Sequence, residues 1–307
     1  MTRVGGGVDP VDAEIQVDGR SVRLTNLDRV LWPATGFTKR DMLDYYLRVG
    51  PTLVPHLAGR PLMLGRFPEG VEGRGWGQFE CRGRPDWMAS VPLRLRTGVV
   101  REVCVVNDMP SLMWVVNQGV IELHPFLARA DAFERPTSVV FDLDPGPAAG
   151  LAECARAALR LRGVLDEAGL RAYVKTSGSS GIHVFVPIDA THSYAETKAF
   201  ARRIAARLAS ENPELVIDRM TRSLRAGRVF VDWAQNDERK QTVAPYSLRA
   251  TARPLVSTPI TWDEVGTAAA GSDPAILAFG PSQVTERTRD CGDLFAPVAA
   301  GGHRLPA

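Results

Sequence analysis

The strongest structural signal in this chain is the stretch Ser138-Val139-Val140-Phe141-Asp142-Leu143-Asp144-Pro145-Gly146. Its β-branched and aromatic residues favour a strand. Strand side chains alternate between two faces, so Asp142 and Asp144 share one face and the apolar residues beside them point the other way. The strand must then end, because proline cannot donate to a sheet and glycine favours a turn.

The two aspartates at this strand end indicate a possible cation site. Neighbouring carboxylates raise each other's pKa, so a protein that keeps such a pair together commonly places a cation between them. Mg²⁺ and Mn²⁺ are the natural candidates, because hard divalent ions favour carboxylate oxygen. The alternative is a solvent-exposed strand end that runs into a turn, and the pair alone does not decide between them.

A regular order of elements follows Pro136. Capping by Ser193 and Glu196 marks the start of its second helix. The order βαββαβ is that of a ferredoxin-like or RRM-like palm, so we expect an α+β fold with helices on one face of a sheet. The pattern predicts strands at 138–143, 171–176, 182–187, 214–217 and 228–233, and helices at 149–168 and 193–210.

A third carboxylate lies on the last of these strands. Val229, Val231 and Trp233 share one face there, which leaves Asp232 on the other. In the predicted sheet Asp232 reaches the Asp142 and Asp144 pair from a neighbouring strand. Three convergent carboxylates are what a two-metal phosphoryl-transfer site requires.

The turn at 177–181, Ser-Gly-Ser-Ser-Gly, lies between these carboxylates in sequence and precedes His183. Its backbone N–H groups and hydroxyls can donate to phosphate oxygens. Such a turn is more often only a turn, so by itself it is weak evidence for a phosphate site.

The N-terminal half contains a hairpin and a capped helix. Asp18-Gly19 predicts the two-residue turn of a hairpin over 15–24. Thr38 and Asp41 predict a helix start, with Lys39 in the first turn. A cation is unfavourable there unless an anion is bound, so Lys39 is either part of a phosphate site or a solvated lysine.

Residues 60 to 110 combine arginines with scattered aromatic side chains. Trp76, Phe79 and Trp87 can stack on nucleic-acid bases, although core packing is commoner for such residues. We expect a strand over 99–107, a buried helix over 109–120 and a strand over 121–124. That last strand ends at His124, and a lone histidine in such a place is usually structural.

Composition bounds the class of protein. The 307 residues carry a formal charge of +2, which does not indicate a general polyanion binder, but residues 218 to 253 hold eight Lys or Arg against four Asp or Glu. Any nucleic-acid surface is expected there. The four scattered cysteines predict neither a zinc site nor a disulfide and suit a reducing cytoplasm. No apolar run approaches ~20 residues, so we expect no membrane span.

Five ordered motifs carry a resemblance to a known family. Together they resemble the polymerase domain of bacterial ligase D, in the archaeo-eukaryotic primase superfamily, over roughly residues 20 to 300. The segment 24–33 matches the N-terminal module of that family. The motifs are Phe141-Asp142-Leu143-Asp144-Pro145-Gly146, Thr176-Ser177-Gly178-Ser179-Ser180-Gly181-Ile182-His183, Met220-Thr221-Arg222-Ser223-Leu224-Arg225-Ala226-Gly227, Val231-Asp232-Trp233-Ala234-Gln235-Asn236 and Ala244-Pro245-Tyr246-Ser247-Leu248-Arg249.

The resemblance implies a template-directed nucleotidyltransferase. It would extend a primer at gaps or broken ends that carry a 5′-phosphate, prefer ribonucleotides over dNTPs, and depend on Mn²⁺ or Mg²⁺. The implied metal ligands and catalytic residues are Asp142, Asp144 and Asp232. The implied nucleotide contacts are His124, Ser177, His183, Gln235 and Arg249, and the implied DNA contacts are Asn26, Arg29, Lys39, Trp76, Arg222 and Arg225.

The expected organisation is a tail at 1–13, an N-terminal module at 14–135 on the 5′-phosphate and template side, a palm with C-terminal elements at 136–300, and a tail at 301–307. The resemblance implies a separate DNA ligase and the end-binding protein Ku as partners. Because no ligase or nuclease domain is fused to it, we expect a stand-alone monomer in the cytoplasm, near the nucleoid.

Four positions depart from the family pattern. Ser180 stands where a lysine is common, so a phosphate charge is missing or is supplied by Lys175. Trp76-Gly77 replaces a Phe-Phe pair that stacks on the template, and Gly65 replaces another lysine.

These losses leave a second function open, a 5′-phosphate-binding repair scaffold with little polymerase activity. A third is an α+β protein with incidental carboxylates. The three aspartates favour the enzyme, because a pure binder has no reason to keep repelling carboxylates together.

Overall fold

A computed structural model of the chain describes residues 11–94, 98–271 and 273–306. The strands are β1 (Val11–Val17), β2 (Arg20–Thr25), β3 (Val30–Trp32), β4 (Phe37–Thr38), β5 (Leu62–Arg66), β6 (Trp76–Gln78), β7 (Ser90–Arg94), β8 (Val100–Cys104), β9 (Val120–Pro125), β10 (Ser138–Pro145), β11 (Tyr173–Thr176), β12 (Ile182–Pro187), β13 (Val216–Ile217), β14 (Val229–Asp232), β15 (Leu248–Arg249), β16 (Leu255–Val256) and β17 (Pro259–Ile260). The α-helices are α1 (Lys39–Leu57), α2 (Met109–Asn117), α3 (Leu151–Glu167), α4 (Tyr194–Glu211), α5 (Trp262–Ala270), α6 (Pro281–Cys291) and α7 (Ala296–Ala300), and 3₁₀ turns lie at Ala130–Ala132, Arg222–Leu224, Trp233–Gln235 and Pro274–Leu277.

The central sheet has six strands in the order β13-β14-β10-β12-β11-β17. Its four inner strands pair antiparallel in the order of a ferredoxin-like βαββαβ unit. Strand β13 is added parallel to β14 at one edge, and β17 is added antiparallel to β11 at the other. The predicted α+β palm is therefore confirmed.

The layers of the palm follow from the alternation along β10. Phe141 and Leu143 are fully buried in the same core as the apolar side chains of α3 and α4. Phe200, Ile204 and Leu208 of α4 are buried there, and the predicted capping box forms at Ser193. Asp142 and Asp144 therefore lie on the opposite face, as the period of two predicts.

The N-terminal half forms a hairpin, a three-stranded sheet in the order β6-β5-β9, and helices α1 and α2. The hairpin turn is Asp18-Gly19, at φ values of 46° and 75°, and positive φ at both positions is what a two-residue turn of this type needs. Thr38 caps α1 by accepting a hydrogen bond from the Asp41 amide. Both predictions are confirmed.

Helix α1 joins the two halves. The Tyr46 hydroxyl donates to the Ile121 carbonyl at 2.8 Å and accepts from the Leu248 amide at 3.1 Å. The Tyr45 hydroxyl donates to the Tyr246 carbonyl at 2.7 Å. One continuous core contains residues from both halves, so the N-terminal module packs directly against the palm.

The C-terminal region is more ordered than the sequence suggested. Helix α6 was not predicted, because of its eleven residues only Val284 is buried and no apolar stripe marks it. Asp293 joins this region to α1, since its carboxylate bonds the His56 ring at 2.8 Å and accepts from the Tyr246 hydroxyl at 2.7 Å. Beyond residue 300, His303 pairs with Ile188.

Two further expectations are corrected at the termini and cysteines. Strand β1 begins at Val11, inside the predicted tail, whose residues 1 to 10 lie outside the described residues. Cys81 and Cys104 form a disulfide, so the prediction of no disulfide is wrong. The two cysteines meet because Glu80 pairs with Val103 across the fold, a contact that spacing along the chain does not reveal. Within the described ranges, no helix is long and apolar enough to cross a bilayer.

Candidate active site

The three aspartates come together at one end of the palm sheet. Asp142 on β10 and Asp232 on β14 are directly paired across the two strands, and Asp144 pairs with Phe230 two residues on. The Gln235 side-chain amide donates to Asp142 Oδ2 at 3.2 Å and lies 3.4 Å from Asp232 Oδ2. Two of the carboxylates therefore approach the same point in space.

Their pKa values reflect burial and mutual repulsion. Burial and the negative charges of Asp142 and Asp232 raise the pKa of Asp144 to about 6. Burial and Asp142 raise the pKa of Asp232. Burial also acts against ionisation of Asp142, but the neighbouring His183 and Lys175 outweigh it and lower the pKa of that carboxyl.

This donor set suits a hard divalent cation in chemistry, since it consists of carboxylate oxygens whose repulsion a cation relieves. Among the residues that the structure describes, no group of three or more His, Cys, Asp or Glu is already arranged to hold a metal ion. Asp144 lies two residues further along β10 than Asp142, while the Gln235 amide bridges the other two carboxylates. The residue types fit an ion, and their side chains must rearrange to enclose it.

A buried chain of polar groups lies behind Asp142. His183 Nε2 is 3.2 Å from Asp142 Oδ1, and its Nδ1 is 2.9 Å from Lys175 Nζ. Lys175 also donates to the Ser257 hydroxyl at 2.7 Å. Burial, followed by the charge of Arg249, lowers the pKa of Lys175. Because Lys175 is fully buried, the suggestion that it supplies the charge missing at Ser180 is wrong.

The serine–glycine turn is fixed by its own hydrogen bonds. The Ser177 hydroxyl accepts from the Ser179 amide at 3.1 Å and the Gly181 amide at 3.0 Å. Gly178 has a φ of 71°, and a Cβ there would lie 2.7 Å from the Ser257 amide nitrogen, so only glycine fits. Ser180 is exposed at the tip of the turn.

Arg249 and His124 meet at a residue that sequence reasoning missed. Glu122 Oε1 accepts from Arg249 Nε at 2.9 Å and from the Ala250 amide at 3.0 Å, while Oε2 lies 2.9 Å from His124 Nε2. Arg249 also donates to the Ser177 carbonyl at 2.6 Å. The period of two along β9 puts Glu122 on the same face as His124, a signal that was available in the sequence.

Arg225 lies beside the aspartates, whereas Arg222 is exposed. The Arg225 guanidinium stacks 3.8 Å from the centre of the Phe230 ring and donates to the Met220 carbonyl. Its positive charge favours ionisation of Asp144, although burial and repulsion outweigh it. Arg222 lies in a 3₁₀ turn beside the exposed apolar side chain of Leu224.

Asn26, Arg29 and Lys39 are the residues predicted to bind a 5′-phosphate. We call this group the 5′ corner. Arg29 Nη2 lies 3.5 Å from Asn26 Oδ1, and Arg29 Nη1 donates to the Pro68 carbonyl and to Glu69. Lys39 is buried and donates to a backbone carbonyl of β2 at 2.5 Å. The solvated-lysine alternative is therefore wrong, and the anion-binding alternative stays a prediction.

The aromatic residues of the N-terminal half divide into two groups. Trp76 on β6 is 43% exposed, with the Arg66 guanidinium 5.4 Å from its ring. Phe79 instead packs against Phe126, 6.1 Å between ring centres. A Cβ at position 77 would lie 2.9 Å from the Met63 sulfur, so the glycine leaves space for the Met63 side chain. Trp76 alone of the three predicted aromatics thus has a large exposed face.

Comparison with known proteins gives consistent results. The sequence pattern of the family described as LigD, primase-polymerase domain, matches residues 38–295. The multifunctional non-homologous end joining protein LigD of Mycolicibacterium smegmatis is 39% identical over 282 residues, covering 91% of this chain and 36% of that protein. The bifunctional non-homologous end joining protein LigD of Bacillus subtilis is 30% identical over 246 residues, covering 80% of this chain and 39% of that protein. The chain thus spans well under half the length of these curated relatives.

A solved structure agrees with the sequence matches. The polymerase domain from Mycobacterium tuberculosis ligase D in complex with DNA superposes with a TM-score of 0.84 at 36% sequence identity. The match covers 93% of this chain and 99% of that one.

Proposed function

The chain belongs to the LigD primase-polymerase domain family and is a nucleotidyltransferase, and from this premise we propose that it extends a primer strand, under direction of a template, at DNA gaps or broken ends. The observation that carries the proposal is the pairing of Asp142 with Asp232 across two strands, with Asp144 beside them on the same face.

The three aspartates are proposed to hold one or two divalent ions, Mn²⁺ or Mg²⁺. The raised pKa values of Asp144 and Asp232 support this, because a bound cation would relieve the repulsion between the buried carboxylates. A bound ion would lower the pKa of the attacking 3′-hydroxyl and offset the charge of the leaving pyrophosphate. To admit it, the Gln235 amide must leave its position between the two carboxylates.

The nucleoside triphosphate is proposed to lie between the aspartates and the serine–glycine turn. Arg249 suits this role because its guanidinium Nη2 has no hydrogen-bond partner among the described residues, while Nε and Nη1 are fixed. His183 is held between Asp142 and Lys175 and would orient Asp142. His124, bonded to Glu122, would contact the sugar or a phosphate of the nucleotide.

The DNA is proposed to bind across the N-terminal half. The 5′ corner would hold the downstream phosphate, Trp76 would stack on the template, and Arg222 and Arg225 would lie near the primer and template. The similar ligase D polymerase domain was solved in complex with DNA, which supports the proposal that this chain binds DNA. Preference for ribonucleotides, cooperation with a separate ligase and Ku in end joining, a monomeric state and a cytoplasmic, nucleoid-associated location belong to the same proposal.

A scaffold function is the second candidate. It is favoured by the absence of a cation at Ser180 and Gly65 and by the burial of Lys175, which leaves Arg249 to meet the triphosphate with less help. Such a protein would recognise a gapped end and extend it poorly.

Primer extension separates the two candidates. We expect extension of a primer across a short gap carrying a 5′-phosphate with Mn²⁺, faster with NTPs than with dNTPs, and slower on the matched 5′-hydroxyl substrate. The comparison should be repeated with Mg²⁺ and on blunt ends. Tight binding of the phosphorylated gap without extension under any of these conditions would favour the scaffold.

A further inference from the structure

Glu122 is the meeting point of two substrate-binding candidates. It lies on β9 and receives hydrogen bonds from the side chain of Arg249, 127 residues away in sequence, and from the adjacent Ala250 amide. His124, on the same face of β9, bonds its other oxygen. No feature of the proposed reaction requires this carboxylate to touch substrate.

The carboxylate of Glu122 stays ionised at any physiological pH. Burial acts against ionisation, but the His124 hydrogen bond and the Arg249 charge outweigh it and lower the pKa of Glu122 to about 2. The acceptor is therefore charged, and charge-assisted hydrogen bonds are shorter and about twice as strong as neutral ones.

The stem of Glu122 is also fixed in place. It packs against Gly65 on the neighbouring strand, where an added Cβ would lie 2.8 Å from the Glu122 Cβ. A larger residue at position 65 would displace the Glu122 stem. Gly65 thus limits the position of the stem, and the hydrogen bonds from Arg249, Ala250 and His124 hold the carboxylate.

Arg249 needs such an anchor for an electrostatic reason. The buried Lys175 is close enough that the Arg249 charge, after burial, contributes to lowering the pKa of its ammonium. Without Glu122, the guanidinium would be held by the Ser177 carbonyl alone and repelled by that lysine. With Glu122, two of its three nitrogens are fixed and the third is left for a ligand.

We propose that Glu122 is a positioning residue that holds Arg249 and His124 as one preorganised unit for the incoming nucleoside triphosphate. The inference rests on the proposed polymerase function. A preorganised contact binds its ligand without the cost of ordering a flexible side chain. Glu122 therefore tightens nucleotide binding even though its own charge repels a triphosphate.

The simplest alternative role for Glu122 predicts the opposite change in nucleotide affinity. If Glu122 only neutralises Arg249, removal of its charge makes the site more positive, and nucleotide binding tightens. If it positions Arg249, removal weakens nucleotide binding. Glu122→Gln is the variant of choice, because it keeps the shape and one acceptor but removes the charge.

The chain offers a matched control in Glu264. Its carboxylate pairs with Arg287 at 2.6 and 2.9 Å, with side-chain exposures of 22% for arginine and 31% for glutamate. The Arg249 and Glu122 side chains have similar exposed fractions, 21% and 16%. Glu264→Gln thus weakens a similar pair between α5 and α6, outside the site.

The experiment measures steady-state primer extension, affinity for gapped DNA and thermal unfolding for the wild-type protein and both variants. We expect Glu122→Gln to raise the nucleotide KM by roughly tenfold or more, the loss of one charge-assisted contact, with DNA affinity within about twofold of wild type. Glu264→Gln should lower only the unfolding temperature. In an Arg249→Ala background, Glu122→Gln should raise KM less than it does in the wild-type protein, because only His124 is left for Glu122 to position.

A nucleotide KM that falls or stays unchanged in Glu122→Gln would overturn the proposal, as would a full further increase in the Arg249→Ala background. If Glu122→Gln does not fold, Gly65→Ala displaces the same stem without removing charge, and an unchanged KM in that variant overturns the proposal equally. Absence of extension by the wild-type protein would instead refute the polymerase function, so the two failures are distinguishable.

Discussion

The aspartate end of the palm and the 5′ corner are both charged sites, but they are built in opposite ways. At the aspartate end, like charges face each other across paired strands, and the pKa of Asp144 rises to about 6. In the 5′ corner, Lys39 and Arg29 already have backbone or carboxylate partners. At the first site the neighbouring Arg225 does not offset the repulsion on Asp144, whereas at the second a phosphate must compete with partners from the protein. We therefore expect substitutions at the first site to have the larger effects.

The largest effect is expected from Asp142→Ala. It removes the carboxylate that pairs with Asp232 and that contacts His183, so metal-dependent nucleotide addition should fall by about a thousandfold or more. Affinity for gapped DNA should stay within about twofold of wild type. Primer extension and DNA binding measure the two quantities, with Asp166→Ala on the exposed surface of α3 as control. Extension at an appreciable fraction of the wild-type rate would show that the aspartates are not the catalytic centre.

Arg249→Lys should follow in size. Lysine keeps the charge but cannot bond Glu122 and Ser177 while also presenting a planar pair of donors to phosphate. We expect kcat/KM for the nucleotide to fall roughly ten- to a hundredfold. Arg287→Lys, at the partly buried arginine–glutamate pair between α5 and α6, should leave kinetics unchanged. Equal kinetic constants in Arg249→Lys and wild type would remove Arg249 from the triphosphate site.

Lys39→Ala sharpens the comparison from the other side. If the 5′ corner binds phosphate in competition with Thr25, loss of the ammonium should weaken binding of a 5′-phosphorylated gap by about tenfold. Binding of the 5′-hydroxyl gap should hardly change. Arg40→Ala is the matched control, since Arg40 is exposed in the same helical turn and pairs with Asp28. Wild-type protein that does not distinguish the two gaps would refute the pocket.

The palm could be predicted because its evidence is local in sequence. Alternation along β10 and β14 fixed which residues share a face, and the strand order then paired Asp142 with Asp232. The same alternation on β9 placed Glu122 beside His124, but its bond to Arg249 joins residues 127 apart. A local sequence pattern cannot predict a contact between residues so far apart in the chain.

The remaining differences also come from tertiary contacts. The Cys81–Cys104 disulfide depends on a bridge between distant strands. The sequence identifies Lys175 only as a lysine on a strand. In the fold it is fully buried, and His183 and Ser257 are the hydrogen-bond partners of its amino group. Helix α6 is nearly all polar because it lies on the surface and buries only Val284. In each case the sequence shows the residue type, and only the packed fold shows its partner.

The smallest expected effect is a pH dependence of stability caused by Asp144. Its pKa of about 6 in the folded protein is higher than the ~3.9 of an unfolded chain. Between these values the folded state binds a proton that the unfolded state has lost, so the free energy of unfolding should fall as pH rises from about 4 through about 6. The loss should be on the order of 1 kcal/mol after allowance for solvent screening.

Thermal unfolding in the presence of EDTA tests this difference across that pH range. Asp144→Asn should remove the slope and make the metal-free protein more stable than wild type near pH 7, because the amide carries no charge for Asp142 and Asp232 to repel. Added Mn²⁺ should stabilise wild type at pH 7 and stabilise Asp144→Asn less. Identical pH slopes for the two proteins would mean that Asp144 is relieved by other groups, and the contrast between the two charged sites would then rest on Asp142 and Asp232 alone.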